Sequence, residues 1–314
     1  MPAMITHYLL GKRLLPLSEM PPVKNREAFL LGTQGPDIFF FFRAYPWLPG
    51  KKGMPIGLGL HDARPSLVVQ TVRDLIAEAD VSQRSVIESY ALGFLCHYAA
   101  DRKIHPYVLY WQEDLMNVFP EYATIPNPYH YRIESALDTL ILRHDSGEYV
   151  SSFELKSLVP KKNKERDAAL AWFYHHLILR VLGNDVPEKK LKTLTSDLRH
   201  SMGWMTDRNE MKGKAIRFAE RMLKKGAFLS ALLRTKEIDN YDYPNEQQSP
   251  WLKTDNEVSR QSFFELCDET TTFAATMLRD FIDGVSAEEL TAEITFAGKR
   301  YQEEVTTDET HSEL

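Results

Sequence analysis

Apolar residues recur along most of this chain at intervals of three and four positions, which is the spacing of amphipathic helices. The strict alternation of apolar and polar positions that would predict strands is nearly absent. The pattern therefore predicts an all-α protein. Helices are predicted over residues 4–15, 26–31, 65–79, 82–105, 106–116, 130–134, 152–158, 164–182, 187–200, 212–233, 259–281 and 286–304.

Local signals predict where several of these helices begin and end. Ser82 is a candidate cap for the central helix. Pro106 disfavours the helical conformation at the residue before it, so that helix is predicted to end near His105. The last helix opens with Ser286-x-x-Glu289, which is the pattern of a capping box.

Proline and glycine mark two segments between helices that hold candidate chemistry. Gly35 and Pro36 predict a turn, from which Asp37 leads into a strongly apolar run. Residues 44–62 are predicted to form a long loop with His61 at its end. Long loops in compact domains often serve as lids or binding loops.

The length and composition fit one helical domain. The 314 residues are divided into a half that carries the candidate ligands (1–145), a helical remainder of the same domain (146–304) and a disordered tail (305–314). The formal net charge of −6 argues against an obligate nucleic-acid partner. No apolar run approaches the roughly 20 residues of a membrane span, so no transmembrane segment is expected.

Cysteine usage and the N-terminal pattern predict a cytoplasmic protein. Cys96 and Cys267 are the two cysteines, too few for a disulfide framework and typical of a reducing compartment. Lys12 and Arg13 follow the short N-terminal apolar stretch instead of preceding it, so the layout of a signal peptide is missing.

The most informative stretch is His97-Tyr-Ala-Ala-Asp101-Arg-Lys-Ile-His105, where three metal-type ligands stand four residues apart. On a helix, His97 and Asp101 share a face one turn apart. The apolar run before His97 indicates a buried helix, and a buried charge needs a partner, for which a metal is a natural choice. A single buried histidine is more often a hydrogen-bonded core residue, so the interpretation depends on the other candidates.

Five further His and carboxylate residues extend the candidate set. Each has a simpler interpretation alone, as a core or surface histidine, a turn residue or an exposed ion pair. His130 and Glu134 again stand four residues apart on one helical face. The complete candidate set is His7, Asp37, His61, His97, Asp101, His105, His130 and Glu134.

This set holds half of the histidines of the chain and consists of nitrogen and carboxylate ligands without thiolates. Such donors suit zinc, with iron or manganese as the next choices. Eight ligands exceed the needs of one tetrahedral ion. They therefore predict two or three ions, with Asp101 as a bridging ligand.

In this order the motifs resemble those of the zinc-dependent phospholipase C family, whose fold is shared by single-strand-specific nucleases. The resemblance covers roughly residues 1–145 and includes an N-terminal His, Gly-Pro-Asp, a loop His, His-x-x-x-Asp with a following His, and His-x-x-x-Glu. It implies an all-helical bundle with the metal cluster between its helices. The chain departs from the secreted members at its start, where Met1-Pro2 replaces the mature N-terminal Trp that completes one zinc site.

The resemblance also implies how the ligands are shared and what they do. One zinc would be held by Asp37, His61, His97 and Asp101, a second by His105, His130 and Glu134, and a third by His7 and Asp101. The expected reaction is hydrolysis of a phosphate ester, with a phospholipid as one candidate substrate, by attack of a zinc-bound water. Asp37 is then a ligand and a candidate catalytic base, and the loop with Trp47 would shape the leaving-group side.

Two alternatives remain open at this point. The same fold could serve an intracellular nuclease or a small-molecule phosphatase, although a nuclease would be expected to show base-stacking aromatic residues beside a basic channel. The cluster could also support a non-catalytic metal-binding scaffold.

Overall fold

The computed structural model describes residues 3–44, 53–118, 128–207, 209–223, 230, 233, 240–254 and 256–303. Within these ranges the protein is all-α, as predicted, and its strands are confined to one short antiparallel pair in which Trp251 faces Ser259. The helices are α1 Met4–Leu14, α2 Arg26–Gly32, α3 Met54–Asp62, α4 Pro65–Glu78, α5 Val81–Val118, α6 Pro128–Ser146, α7 Lys164–Leu182, α8 Glu188–Leu191, α9 Leu194–Met205, α10 Met211–Met222, α11 Phe263–Ile282 and α12 Ala287–Thr291. The 3-10 helices are Gly35–Phe41 and Leu155–Leu158, and the strands are β1 Trp251–Leu252 and β2 Val258–Ser259.

Helix α5 is the centre of the fold. Residues 89–101 are buried without interruption, and a helix that is apolar on all sides belongs in the interior of a protein. Helices α1, α2, α4, α6, α7 and α11 pack around it. The buried apolar residues from Met4 to Phe296 form one cluster. The assignment of the two halves to a single domain with a boundary at 145 stays a prediction.

Two glycines bring the backbones of α2 and α5 into contact. A Cβ atom on Gly93 would lie 2.1 Å from the Phe29 carbonyl oxygen, and one on Gly32 would lie 2.2 Å from that of Tyr90. Any side chain at either position would therefore force the helices apart. This close crossing places the residues that follow Gly32 directly beside His97, one turn beyond Gly93.

The predicted end of the central helix near His105 is wrong, because α5 continues through Pro106 to Val118. Proline removes one helical hydrogen bond, to the Arg102 carbonyl group. The backbone of Gly298 packs on this position, since a Cβ atom there would lie 2.8 Å from the Arg102 oxygen and 2.5 Å from Pro106 Cγ. Tertiary packing thus stabilises a helix that the local sequence alone predicts to end.

Other predicted boundaries also need correction. The predicted loop over 44–62 contains α3, so His61 lies in the last turn of a helix, while residues 45–52, with Trp47, lie outside the described residues. The cap of α5 is Asp80 and not Ser82, because the Asp80 side chain accepts the backbone N–H of Ser82. The segment 187–200 forms two helices, and the helix predicted from residue 259 begins at Phe263 because 258–259 pairs as a strand.

The last predicted helix, 286–304, is the largest error. Ser286 caps it as expected, by accepting the Glu289 N–H, but α12 ends at Thr291. Ala292 and Glu293 have φ values of 47° and 53°, which turn the chain out of the helix. The turn directs Phe296 into the core against α5. The predicted disordered tail, 305–314, lies outside the described residues.

None of the described helices combines the length and the apolar content needed to span a membrane.

The glycine crossing gives a direct test of the fold. Replacement Gly93→Ala should lower the free energy of unfolding by about 1–3 kcal/mol, because the new methyl group overlaps the Phe29 carbonyl oxygen. Urea unfolding followed by circular dichroism measures this change. The matched control is Gly203→Ala in α9, where the nearest atom lies 3.9 Å from the new Cβ atom. It should be neutral or stabilising by up to about 1 kcal/mol. Equal effects at both positions would show that the α2–α5 contact is looser than described.

Candidate metal centre

The structure brings all eight predicted His and carboxylate residues to one buried place beside α5, with Asp101 at the centre. Asp101 Oδ1 lies 3.2 Å from His7 Nε2 and 3.8 Å from His105 Nε2. Asp101 Oδ2 lies 3.2 Å from His97 Nε2 and 3.5 Å from His61 Nε2. One carboxylate therefore faces four imidazole rings, which is the arrangement expected of a bridging ligand.

Two more carboxylates complete the cluster on either side. Asp37 Oδ1 lies 3.3 Å from His61 Nε2. Glu134 Oε1 lies 3.2 Å from His130 Nε2 and 3.8 Å from His105 Nε2. Three triads of ligand atoms fall within 4.8 Å: His7–Asp37–His97, His61–His97–Asp101 and His105–His130–Glu134. The third triad has the members that the resemblance implies, whereas His7 groups with Asp37 and His97 and not with Asp101. The assignment of ligands to ions stays a prediction.

Regular helix geometry places five of the eight ligands. His97, Asp101 and His105 follow each other at one-turn intervals on α5, and His130 and Glu134 do so on α6. The remaining positions need tertiary contacts. Asp138 Oδ1 accepts both the backbone N–H and the hydroxyl of Thr6, at 2.8 Å each, and so fixes the residue next to His7 against α6.

The Gly-Pro turn places Asp37. Gly35 has a φ of +47°, and a Cβ atom there would lie 2.3 Å from the His97 ring. Only glycine suits this position without strain, because it must be both left-handed and in contact with the imidazole. The carbonyl group of Gly35 accepts the Tyr174 hydroxyl at 2.8 Å, which fixes the turn to α7.

Four of the histidines use Nδ1 to hold their orientation. His61 Nδ1 donates to the Gly57 carbonyl group at 2.7 Å and His97 Nδ1 to that of Thr33 at 3.1 Å. His105 Nδ1 donates to the Phe296 carbonyl group at 3.0 Å, and His130 Nδ1 donates to Gln112 Oε1 at 3.2 Å. A neutral imidazole that donates from Nδ1 carries its lone pair on Nε2. All four lone pairs therefore point into the cluster, as is usual for metal-ligating histidines.

This orientation makes the cluster fit a cation. A lone pair on Nε2 that faces a carboxylate oxygen is a contact between two acceptors, which is stable only with a proton or a metal ion between them. His7 Nδ1 and His97 Nε2 are buried and make no directed hydrogen bond within the described part of the chain. Such buried polar atoms cost free energy unless something else binds them. The donors are nitrogen and oxygen atoms, which suit zinc.

The pKa values show the excess negative charge of the site. Burial alone would raise the pKa of Asp101, but the neighbouring His105 and His97 hold it well below the usual value. Burial alone would lower the pKa of His61, but hydrogen bonds to Asp101 and Asp37 raise it to about 10. The carboxylates thus stay ionised inside the protein and, without a metal ion, would draw a proton onto His61.

The residues that orient the histidines are those that the sequence does not reveal. Thr33, Gly57 and Phe296 act through backbone carbonyl groups, which any residue type provides. The ring of Phe296 also packs on the rings of His61 and His97, with centroids 4.8 and 6.0 Å away. Gln112 differs from these because it acts through its side chain. Its position two turns beyond His105 on the same helix is the signal by which the sequence could have indicated it.

A small pocket adjoins the cluster on the side of α1, α6 and α11. Its polar wall includes His7, Asp101, His105 and Glu134. Its apolar wall includes Ala3, Ile104, Val108, Leu137 and Phe263. The pocket therefore offers an apolar surface directly beside the predicted ligands, and Phe263 brings the second half of the chain into its wall.

The cluster does not include three other residues of metal-binding type. Cys96, beside His97, is buried, and burial raises the pKa of its thiol to about 12, in agreement with its interpretation as a packing residue. His175 and His176 donate from Nδ1 to the carbonyl groups of Val186 and Trp172 and lie outside the triads.

Comparison with known proteins gives one match. A family model described as zinc-dependent phospholipase C matches residues 6–182, more than half of the chain, and this range contains all eight candidate ligands. Phe263 and Phe296 lie outside it. Neither the curated proteins nor the solved structures contain a match.

The central role of Asp101 can be tested by replacement with an isosteric neutral residue. Asp101→Asn should lower the metal content of the purified protein by at least about one ion per chain, because the charge that faces four imidazole rings is lost. Elemental analysis of protein never exposed to chelator measures the content. Glu113→Gln removes an exposed carboxylate from the same helix and should leave the content unchanged. Full metal content in Asp101→Asn would contradict the bridging assignment.

Gln112 provides a more selective test. Gln112→Ala removes the acceptor for His130 Nδ1 and should weaken binding at the His105–His130–Glu134 triad by roughly tenfold to a hundredfold. Competition with a chromogenic chelator measures the affinity of each ion. Gln112→Glu keeps an acceptor at the same place and should retain most of the affinity. If both variants bind metal equally well, Gln112 does not orient His130.

Proposed function

The chain belongs to the zinc-dependent phospholipase C family, and we propose that it is a zinc-dependent hydrolase that cleaves phosphodiesters of the phospholipid class. The observation that carries the proposal is the cluster of eight candidate ligand side chains with Asp101 at its centre. Some of their buried metal-ligand atoms, such as His97 Nε2, lack hydrogen-bond partners among the described residues. A purely structural ion pair would not need four imidazole lone pairs directed at its carboxylates.

Each group of ligands has a place in this proposal. Asp37, His61, His97 and Asp101 would hold one zinc ion, His105, His130 and Glu134 a second, and His7 with Asp101 a third. Bound zinc supplies Lewis-acid stabilisation of phosphate oxygens and lowers the pKa of water toward 7. The geometry of the triads supports two or three such ions without fixing their number.

The side chains of the protein provide the remaining steps. Asp37 has a lowered pKa despite burial, because His61 hydrogen-bonds to it and lies beside it, and so it is ionised at neutral pH. An ionised carboxylate that faces the cluster can accept the proton of the attacking water. The apolar wall of Ile104, Val108 and Leu137 would limit the access of bulk water to the ligands.

We also propose that the protein acts in the cytoplasm. Both cysteines, Cys96 and Cys267, are buried and unpaired with each other, which supports a reducing compartment.

The test combines metal analysis with substrate discrimination. Protein purified without chelator should contain two or three zinc ions per chain and should hydrolyse phosphatidylcholine and a generic phosphodiester faster than a generic phosphomonoester. The products are identified by lipid chromatography, with diacylglycerol as the expected one. Asp101→Asn is the inactive control, and Glu113→Gln should be as active as the wild type.

Other outcomes would change the assignment. Zinc with monoesterase activity only would indicate a small-molecule phosphatase, and selective cleavage of single-stranded nucleic acid would indicate a nuclease. Fully loaded protein without any hydrolysis, together with loss of helicity on chelation, would indicate a metal-binding scaffold.

A further inference from the structure

Helix α10 presents its apolar side to solvent. Met211, Phe218 and Met222 are 67, 67 and 68 % exposed. They stand seven and four residues apart, which places them along one stripe of the helix. The exposed Ala215 falls within the same stripe. Amphipathic helices of globular proteins normally direct such a stripe toward the core.

The orientation of α10 is fixed by its opposite side. Gly213 and Glu220 are buried there, and Ile216 packs partly against the core. The backbone N–H of Gly213 donates to Asp207 Oδ2 at 2.6 Å, and that of Ser230 donates to Glu220 Oε1 at 3.3 Å. A buried acidic side chain therefore faces the protein while a phenylalanine on the same helix faces outward. The exposed stripe is thus part of a defined packing arrangement.

Basic side chains border the stripe. Lys214, Arg217 and Arg221 are exposed on one flank. Helix α10 has four basic residues and one acidic residue, although the chain as a whole has a net charge of −6. The helix is thus a cationic, apolar surface on an otherwise acidic protein, and its charge is complementary to that of an anionic surface.

An exposed tryptophan lies next to the start of this helix. Trp204, near the end of α9, is 45 % exposed, and Lys212 Nζ lies 5.6 Å from the centre of its ring. Lys212 Nζ also donates to the carbonyl groups of Trp204 and Thr206. Tryptophan at the rim of a basic amphipathic helix is typical of helices that lie in the interface of a membrane.

Helix α10 is connected to the side of the metal centre formed by α6. Leu233 packs near Gly213, with a side-chain carbon 3.6 Å from the position of a Cβ there. The Leu233 carbonyl group accepts the hydroxyl of Ser135, at 3.4 Å, and Ser135 follows the ligand Glu134. A surface bound to α10 would therefore be linked through Leu233 to the helix that carries two of the ligands.

We propose that α10 binds in the plane of a membrane that contains anionic phospholipid, with Met211, Phe218 and Met222 inserted among the acyl chains and Lys214, Arg217 and Arg221 at the headgroups. The inference rests on the proposed function, because a hydrolase of phospholipids meets its substrate in an assembled membrane. Helix α10 would bring the metal centre to that membrane. Pairing of α10 with the same helix of a second copy would bring Lys214, Arg217 and Arg221 against like charges, so charge favours an anionic lipid surface as the occupant.

Binding to vesicles tests the proposal with the zinc-loaded, full-length protein. The wild type should sediment with vesicles of phosphatidylcholine and phosphatidylglycerol, and more weakly with phosphatidylcholine alone or at high salt. The double replacement Phe218→Gln with Met222→Gln should weaken binding by about tenfold or more, because two exposed apolar side chains are lost. Replacing Lys214, Arg217 and Arg221 by Gln should abolish the preference for anionic vesicles.

The control removes two exposed apolar side chains elsewhere, by Val81→Gln with Val258→Gln, and should leave vesicle binding unchanged. All variants should keep their zinc and their rate on a soluble phosphodiester. Absence of wild-type vesicle binding, or equal binding by the Phe218/Met222 variant, would overturn the proposal. The proposal would also be overturned if light scattering showed a wild-type dimer that becomes monomeric in the Phe218/Met222 variant, while the wild type binds no vesicles. Vesicle binding without hydrolysis of any diester would uphold the membrane surface and refute the proposed function.

Discussion

The structure depends on a single electrostatic constraint, which is that the Asp101 carboxylate is ionised in the interior of the protein. Burial opposes that charge, and the surrounding imidazoles offset the cost only if a proton or a metal ion lies between nitrogen and oxygen. The raised pKa of His61 corresponds to the first case, in which a proton lies on this imidazole. A metal centre is the alternative that leaves every imidazole neutral, and the orientation of the rings through Nδ1 favours it.

The remainder of the fold holds this charge in place. Helix α5 supplies three ligands at one-turn intervals, and its glycine contact with α2 brings the Thr33 carbonyl group to His97. The Thr6–Asp138 hydrogen bonds hold α1 against α6, and His7 and Glu134 both line the pocket beside the cluster. The core of the protein and its candidate metal centre are thus the same part of the molecule.

Features that depend on short-range periodicity could be predicted from the sequence. The all-α class, the pairs His97–Asp101 and His130–Glu134, and the turn that carries Asp37 all follow from spacings of a few residues. Features that depend on contacts between distant residues could not. Pro106 predicts a helix end unless the packing of Gly298 against it is known. The last helix ends at Thr291 because the chain turns there and places Phe296 in the core. The exposed stripe of α10 was equally hidden, because periodicity alone does not show which side faces solvent.

The hydrogen bond from His105 to the Phe296 carbonyl group joins residues 191 positions apart. During synthesis on a ribosome, α1 to α6 emerge long before the segment that fixes this imidazole. The nascent chain therefore has all eight ligands available while one of them still lacks its final orientation. Under the proposed function, zinc captured that early would meet a site of incomplete affinity, and tight retention would begin only when the segment around Phe296 docks on α5. Metal selectivity would then be set by the finished protein and not by the order in which ions meet the growing chain.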